Sequence, residues 1–207
     1  MGSGPGEIRA PEEWLTDVER ERADRFRFPA DRESFVAAHL LVRLCAAELL
    51  GTHPGKLTLL QVCDVHGPGH GRPYLQDAEG VDVSFSHTRG YVCAVAGPGR
   101  VGADAERVPP GPLQEVLAER VLAPGESAAT NDELIRHWTR KEALIKRGEL
   151  TLDRLAEPVA LDGRHLLEWA EGDIRVAVIT DHPATRAPVP RVSWYGGARA
   201  SGPGTPG

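Results

Sequence analysis

Residues 130–148 read Thr-Asn-Asp-Glu-Leu-Ile-Arg-His-Trp-Thr-Arg-Lys-Glu-Ala-Leu-Ile-Lys-Arg-Gly, and the spacing predicts one helix with both ends marked. Thr130 and Glu133 stand at capping-box spacing, where each side chain satisfies an orphan amide of the first turn. Gly148 suits the left-handed residue just past a helix end. Leu134, Ile135, Trp138 and Ile145 fall near one face at helical spacing. Glu142 and Lys146 sit beside that face, four residues apart. Taken alone, they read either as a surface ion pair worth about 0.2–0.5 kcal/mol or as a working pair, and the rest of the chain decides between the two.

Upstream, Val101-Gly102-Ala103-Asp104-Ala105-Glu106-Arg107 has the pattern of a strand, closed by Pro109 and Pro110. Side chains alternate along a strand, so Val101, Ala103 and Ala105 share one face and Gly102, Asp104 and Glu106 the other. Two carboxylates on one face repel unless water or a cation stands between them. The segment therefore reads as a solvent-facing edge or as part of an acidic site. Before it, residues 81–87 and 91–96 are two strands joined by Thr88-Arg89-Gly90, a hairpin signal. A helix over 33–50 carries the apolar stripe Phe35, Ala38, Leu41, Leu44, Cys45 and Leu49, with Gly51 at its end. On it His39 and Arg43 are four apart, a spacing usual for a solvated face. A shorter helix is expected at 11–26 and a strand at 56–64. Residues 66–75 are dense in turn residues and read as a loop; His66 and His70 lie on it at a spacing that makes no metal site. Downstream come a helix at 112–122 and short strands at 157–161, 165–170, 173–180 and 189–195. The Gly/Pro/Ser-rich ends, 1–6 and 200–207, read as flexible tails. The element order gives two successive blocks of helix then antiparallel strands, 7–100 and 101–199, which is an α+β class.

The 207 residues are 41% hydrophobic and 26% charged, an ordinary balance for a globular protein, but only 5% aromatic, so the core must be mostly aliphatic. The net charge of -6 provides no global basic field for a nucleic acid. No apolar run approaches the roughly 20 residues needed to cross a membrane. Cys45, Cys63 and Cys93 show no metal-ligand spacing and read as reduced core residues; with no secretory signal at the N-terminus, a cytoplasmic protein is expected. Lysine occurs only at positions 56, 141 and 146. Two of the three lie in the 130–148 helix, and an ammonium can titrate and donate a proton where a guanidinium cannot.

Asp104, Glu106 and Glu142 with nearby Arg or Lys suit Mg²⁺, which prefers oxygen ligands and retains waters or substrate phosphates. Mg²⁺ bridging a diphosphate neutralises charge that builds up as a phosphoryl group is attacked. These residues permit phosphoryl-type transfer and hydrolysis alike. Three stretches narrow the choice: Ser84-Phe85-Ser86-His87-Thr88-Arg89-Gly90, then Val101-Gly102-Ala103-Asp104-Ala105-Glu106, then Trp138-Thr139-Arg140-Lys141-Glu142-Ala143-Leu144-Ile145-Lys146. In this order they resemble the motifs of surfactin-type 4'-phosphopantetheinyl transferases, in the subgroup with Trp-x-x-Lys-Glu-Ala. Gly71-Arg72-Pro73 and the helix bearing Arg43 extend the resemblance over roughly residues 24 to 148.

The resemblance implies transfer of the phosphopantetheine arm of coenzyme A to a serine of an apo acyl or peptidyl carrier protein, releasing 3',5'-adenosine bisphosphate. It implies two pseudo-symmetric α+β halves, each a helix packed on a small antiparallel sheet, with coenzyme A in the cleft between, so that a monomer suffices. Asp104, Glu106 and Glu142 would face Mg²⁺ and the diphosphate, and Glu142 would also remove the serine proton. Lys146 would contact the α-phosphate and protonate the leaving group. Ser86 and His87 would hold coenzyme A, and Arg43 and Arg72 its 3'-phosphate end, where a guanidinium fork suits phosphate oxygens. Trp138 would pack the helix on the core.

The chain departs from the family's pattern in three places. No basic residue adjoins Pro29, so that phosphate contact would come from Arg27 or Arg32. Residue 105, between the two acids, is Ala and cannot ligate metal. The loop after Lys146 is shorter than usual. Two other readings use the same residues: a Mg²⁺-dependent phosphohydrolase, and a non-catalytic module that binds coenzyme A or a carrier.

Overall fold

Apolar residues run so densely from Phe35 to Ala47 that a helix over them has no solvent face, and the helix found there is the core of the N-terminal part. In this computed structural model, which describes residues 1–65, 67–76 and 78–190, α2 spans Pro29–Leu50 and every residue from Ser34 to Leu44 is buried. Pro29 opens it, as a residue with no amide hydrogen and a helical φ can. A short α1 (Asp17–Ala23) precedes it. The single helix expected over 11–26 is interrupted: Glu12–Trp14 is a 3-10 turn, and Thr16 starts α1 afresh with a reciprocal capping box to Glu19.

The first strand, β1 (Gly2–Ser3), lies where a flexible tail was expected. Gly2 pairs with Cys93 and Ser3 with Val92, and the buried Met1 ammonium donates to the Ala94 carbonyl at 2.8 Å. Then come β2 (Leu59–Cys63), β3 (Gly67–Leu75), β4 (Val81–Thr88) and β5 (Tyr91–Pro98). The loop expected over 66–75 is thus mostly a strand. Its register against β2 slips between Gln61 and Val62, and Gly71 sits at φ +90°, where an added Cβ would meet the Val62 carbonyl oxygen at 2.6 Å. The turn residues there build an irregular strand, with glycine at the tightest point. His66 lies outside the described residues. β4 and β5 form the expected hairpin, turned by Arg89-Gly90.

The second stretch gives β6 (Val101–Arg107), α3 (Glu115–Val121), α4 (Asn131–Lys146), β7 (His165–Glu171) and β8 (Ile174–Thr180). Thr130 caps α4, its Oγ1 accepting from the Glu133 amide at 3.3 Å. The Glu133 carboxylate reaches one residue further back than a capping box requires and accepts from the Ala129 amide at 2.6 Å. Gly148 follows at φ +76°. Residues 157–161, expected as a strand, form none. Of the strand expected at 189–195, residues 191–195 lie outside the described residues, as does the expected tail 200–207.

The described residues form an α+β fold of small antiparallel sheets ordered β1-β5-β4, β2-β3 and β6-β8-β7. The helix α2 packs on β5 and β4, and α4 on β6 and β8. Between β4 and β6 no backbone ladder forms; side chains stitch the two together. Asp82 Oδ2 accepts from the Val101 amide at 2.8 Å, Ser84 Oγ from the Ala103 amide at 3.1 Å, and Ser86 Oγ donates to Asp104 Oδ1 at 2.8 Å. Alternate residues of one strand point the same way, so Asp82, Ser84 and Ser86 all face β6, and the pairs ascend both strands together. No described helix is long and apolar enough to cross a membrane.

Candidate functional site

The site grows from the two faces of β6. Val101, Ala103 and Ala105 enter an aliphatic cluster with Cys93, Val95, Val176 and Val178, which turns Gly102, Asp104 and Glu106 toward α4. A Cβ on Gly102 would stand 2.0 Å from the Ala143 carbonyl oxygen. Only glycine lets the helix lie this close, and the close approach brings the Glu142 and Lys146 turn over the two acids. Asp104 is 2% exposed, so the expectation of a solvent-facing edge is overturned. Its Oδ1 accepts from Ser86 and, at 2.7 Å, from Lys146 Nζ. Its Oδ2 is buried with no hydrogen-bond partner, an arrangement that costs stability unless a ligand fills it.

Glu106 and Glu142 are half-buried beside it. The Glu106 carboxyl is pushed up to about 7, first by burial and then by the negative charge of Asp104; Lys146 and a hydrogen bond from Trp138 oppose this, and Glu142 adds to it. Glu142 is raised by burial and by Asp104, again against Lys146. For Lys146, burial disfavours the ammonium, but attraction and a hydrogen bond to Asp104 outweigh it and raise its pKa. Three acids thus share one ammonium. Among the described residues no three His, Cys, Asp or Glu side chains converge closely enough to hold a metal by themselves. The donor chemistry nonetheless fits a divalent cation, because the free Asp104 oxygen and the repulsion among the acids are what such a cation relieves. Its shell would need oxygens from water or a substrate.

Lys146 also lines a cavity of about 310 Å³ with Gln61, Arg72, Ser84, Phe85 and Ile145. Arg72 pairs with Asp82, the same residue that holds the Val101 amide. His87 is exposed at the end of β4. Desolvation, then the neighbouring His39 and the Lys146 ammonium, which make a second positive charge there costly, hold its imidazole below the usual range.

Two expected binding residues are placed otherwise. Arg43 is 0% exposed and forms a fork on Glu19, Nη1 to Oε1 at 2.8 Å and Nη2 to Oε2 at 2.6 Å, with the His39 carbonyl at 2.8 Å as a further acceptor. In this arrangement its donors are spent inside the core, where it serves as a strut. It does not show the solvated face that its spacing with His39 indicated. Ser86 is buried and donates its proton to Asp104, so here it holds the acid. Arg32, one candidate for the contact missing near Pro29, is forked on Glu12, and Arg27 stacks on the Phe28 ring at 5.4 Å.

Sequence reasoning missed three features. Lys141 is buried and donates to the Val121 and Leu155 carbonyls and to Glu126, at 2.6, 2.8 and 2.7 Å, tying α4 to the segments on either side of it. Arg147, 1% exposed, clamps the shortened loop to Glu149, Asp181 and the Ile179 carbonyl. Asp82 and Ser84 carry the β4–β6 stitching, and the signal for it was their alternation with Ser86.

Over 144 residues the chain is 31% identical to 4'-phosphopantetheinyl transferase HetI of Nostoc sp. (strain PCC 7120), an alignment that covers 64% of this chain and 58% of HetI. Over 143 residues it is 28% identical to slr0495 of Synechocystis sp. (strain PCC 6803), provisionally named for the same activity, with 64% and 56% covered. The chain spans under three fifths of the length of the curated relatives it matches. No family model matches it. The similarity supports the 4'-phosphopantetheinyl transferase family and does not single out a subgroup.

Proposed function

We propose that this chain is a 4'-phosphopantetheinyl transferase of the surfactin type, moving the phosphopantetheine arm of coenzyme A to a serine of an apo acyl or peptidyl carrier protein. The observation that carries this reading is the meeting of Asp104 and Glu106 on β6 with Glu142 and Lys146 on α4, where Lys146 also lines the cavity. It supports a reaction in which the serine oxygen attacks the phosphorus that bears the pantetheine arm. The P–O bond to the second phosphate breaks, and 3',5'-adenosine bisphosphate leaves.

Glu142 takes the serine proton. Burial and the charge of Asp104 make its carboxylate more basic than an ordinary one. Lys146 holds the leaving phosphate and supplies its proton. Arg72 and His87 serve the anionic end of coenzyme A, a duty that Arg43 and Ser86 do not share. Mg²⁺, held by Asp104, Glu106 and Glu142, would offset the charge of the diphosphate. In this reading residues 7–100 and 101–199 are two halves flanking the cleft, and the enzyme acts as a cytoplasmic monomer.

One assay tests it. The chain is incubated with apo carrier protein, coenzyme A and Mg²⁺, and the carrier is weighed intact. A gain equal to phosphopantetheine supports transfer. Coenzyme A consumed without a carrier gain makes it a hydrolase, and binding without either makes it a non-catalytic module.

A further inference from the structure

Both hydrogen bonds to Asp104 end on the same oxygen. Ser86 and Lys146 share Oδ1, while Oδ2 is buried and bare. A cation arriving from solvent therefore meets a carboxylate that is already covered. Ser86 is a poor candidate to move, since it lies in β4 among the residues that stitch that strand to β6. Lys146 is the last residue of α4, and its side chain remains 28% exposed. It also lines the cavity that Arg72 lines, so an anion seated there would offer its ammonium a second partner.

We propose that Lys146 is a place-holder cation. It occupies Asp104 in the ligand-free protein and yields the carboxylate to a divalent cation when an anionic ligand in the cavity draws the ammonium away. An ammonium and a divalent cation compete for one carboxylate, so metal binding depends on the anion and the anion in turn on the metal, by the same factor. The identity of the anion as the diphosphate of coenzyme A rests on the transferase reading. The competition between Lys146 and a metal does not.

The experiment measures Mn²⁺ binding to the full chain by the loss of the free-ion electron paramagnetic resonance signal, without carrier protein and so without turnover. It is done with and without coenzyme A, after subtracting the Mn²⁺ that coenzyme A binds in free solution. The wild-type chain binds Mn²⁺ weakly alone and about tenfold more tightly with coenzyme A, within the usual range of coupling between sites. Lys146→Gln binds Mn²⁺ alone about tenfold more tightly than wild type and gains less from coenzyme A. Lys146→Met, which keeps the stem, serves if the glutamine variant fails to fold. Arg72→Gln removes the same unit of charge from the cavity without touching Asp104, and leaves ligand-free Mn²⁺ affinity within about twofold. Equal ligand-free affinity in wild type and Lys146→Gln overturns the proposal. So does an Arg72→Gln gain as large as the Lys146→Gln gain, which would make the effect one of field alone. A chain that transfers phosphopantetheine without this competition loses the place-holder and keeps the transferase reading; a chain with the competition and no transfer does the reverse.

Discussion

Glu19 and Glu106 are both carboxylates drawn out of water, and their proton affinities have moved in opposite directions. Burial works to raise Glu19, but hydrogen bonds from His39 and Arg43 outweigh it and hold the group down to about 2. The Thr16 amide at 2.6 Å, His39 at 2.7 Å and the Arg43 fork at 2.6 and 2.8 Å supply donors to both of its oxygens. Glu106 is raised to about 7 by the same burial, because its acidic neighbours add to the cost and one ammonium serves them all. A buried charge whose lone pairs are filled belongs to the frame. A buried acid left in repulsion with its neighbours is held ready for something that arrives.

Breaking the filled cluster has the largest effect. Arg43→Ala leaves Glu19 buried beside the neutral His39 ring, and removal of one partner of a buried pair costs about 3–5 kcal/mol. Urea melts of the variant report it, and Arg43→Lys recovers only part because the fork is lost. An Arg43→Ala chain of wild-type stability that no longer binds coenzyme A would return Arg43 to the ligand role its position in the motif implied.

The open cluster answers in the opposite way. Asp104→Ala lowers the rate of carrier modification about 100-fold or more, the scale of losing a group that stabilises developing charge. Stability changes by less than about 1 kcal/mol, because Lys146 can reach water and the repulsion on Glu106 is relieved. Initial rates by intact mass and urea melts on one preparation measure both. A loss of stability as deep as that of Arg43→Ala would move Asp104 into the frame.

The pH dependence separates the two clusters by sign. Glu19 sits below its ordinary 4.5, so the unfolded chain binds the extra proton, and its stabilisation is complete above about pH 4.5 and lost as pH falls toward 2. His39, held low mainly by burial, acts in the same direction from about pH 6.5 downward. Glu106 sits above 4.5, so the folded chain binds the extra proton and stability drains away as pH rises from about 4.5 to about 7. Urea melts of wild type and Glu106→Gln across this range isolate the last effect: the variant gains on wild type as pH rises, and Mg²⁺ narrows the gap. A gap independent of pH would mean that Glu106 is not under repulsion.

What the sequence could show follows the same division. The Thr130 cap, the β4–β5 hairpin and the alternation of β6 are local patterns, and each stands where it was read. Asp104, Glu106, Glu142 and Lys146 were legible because two spacings, two along a strand and four along a helix, each put their charges on one face. The partners of Arg43 and Ser86 were not legible because they are far away in the chain: Glu19 is 24 residues from Arg43, and Asp104 is 18 from Ser86. Spacing shows which way a side chain points along its own element, but not what the fold brings to meet it. The irregular β3 was hidden for another reason. Its glycines satisfy a tight approach to β2, and the same residues in isolation indicate a loop.

The smallest effect tests the join on which the contrast depends. Ser84 is buried and its Oγ accepts from the Ala103 amide, one residue before Asp104. Ser84→Ala strands that amide between two strands with no ladder of their own, at a cost of about 1–3 kcal/mol. Asp82 and Ser86 still hold on either side, so the fold survives and the defect stays local to Ala103 and Asp104. Carrier modification should then slow several-fold, with the Km for coenzyme A changed less, since Arg72 and Lys146 still line the cavity that Ser84 shares with them. Ser84→Thr keeps the acceptor and should restore the rate. If Ser84→Ala instead loses stability as deeply as Arg43→Ala, and coenzyme A affinity with it, the β4–β6 join belongs to the frame that Glu19 and Arg43 build, and the acidic cluster is held from the α4 side alone.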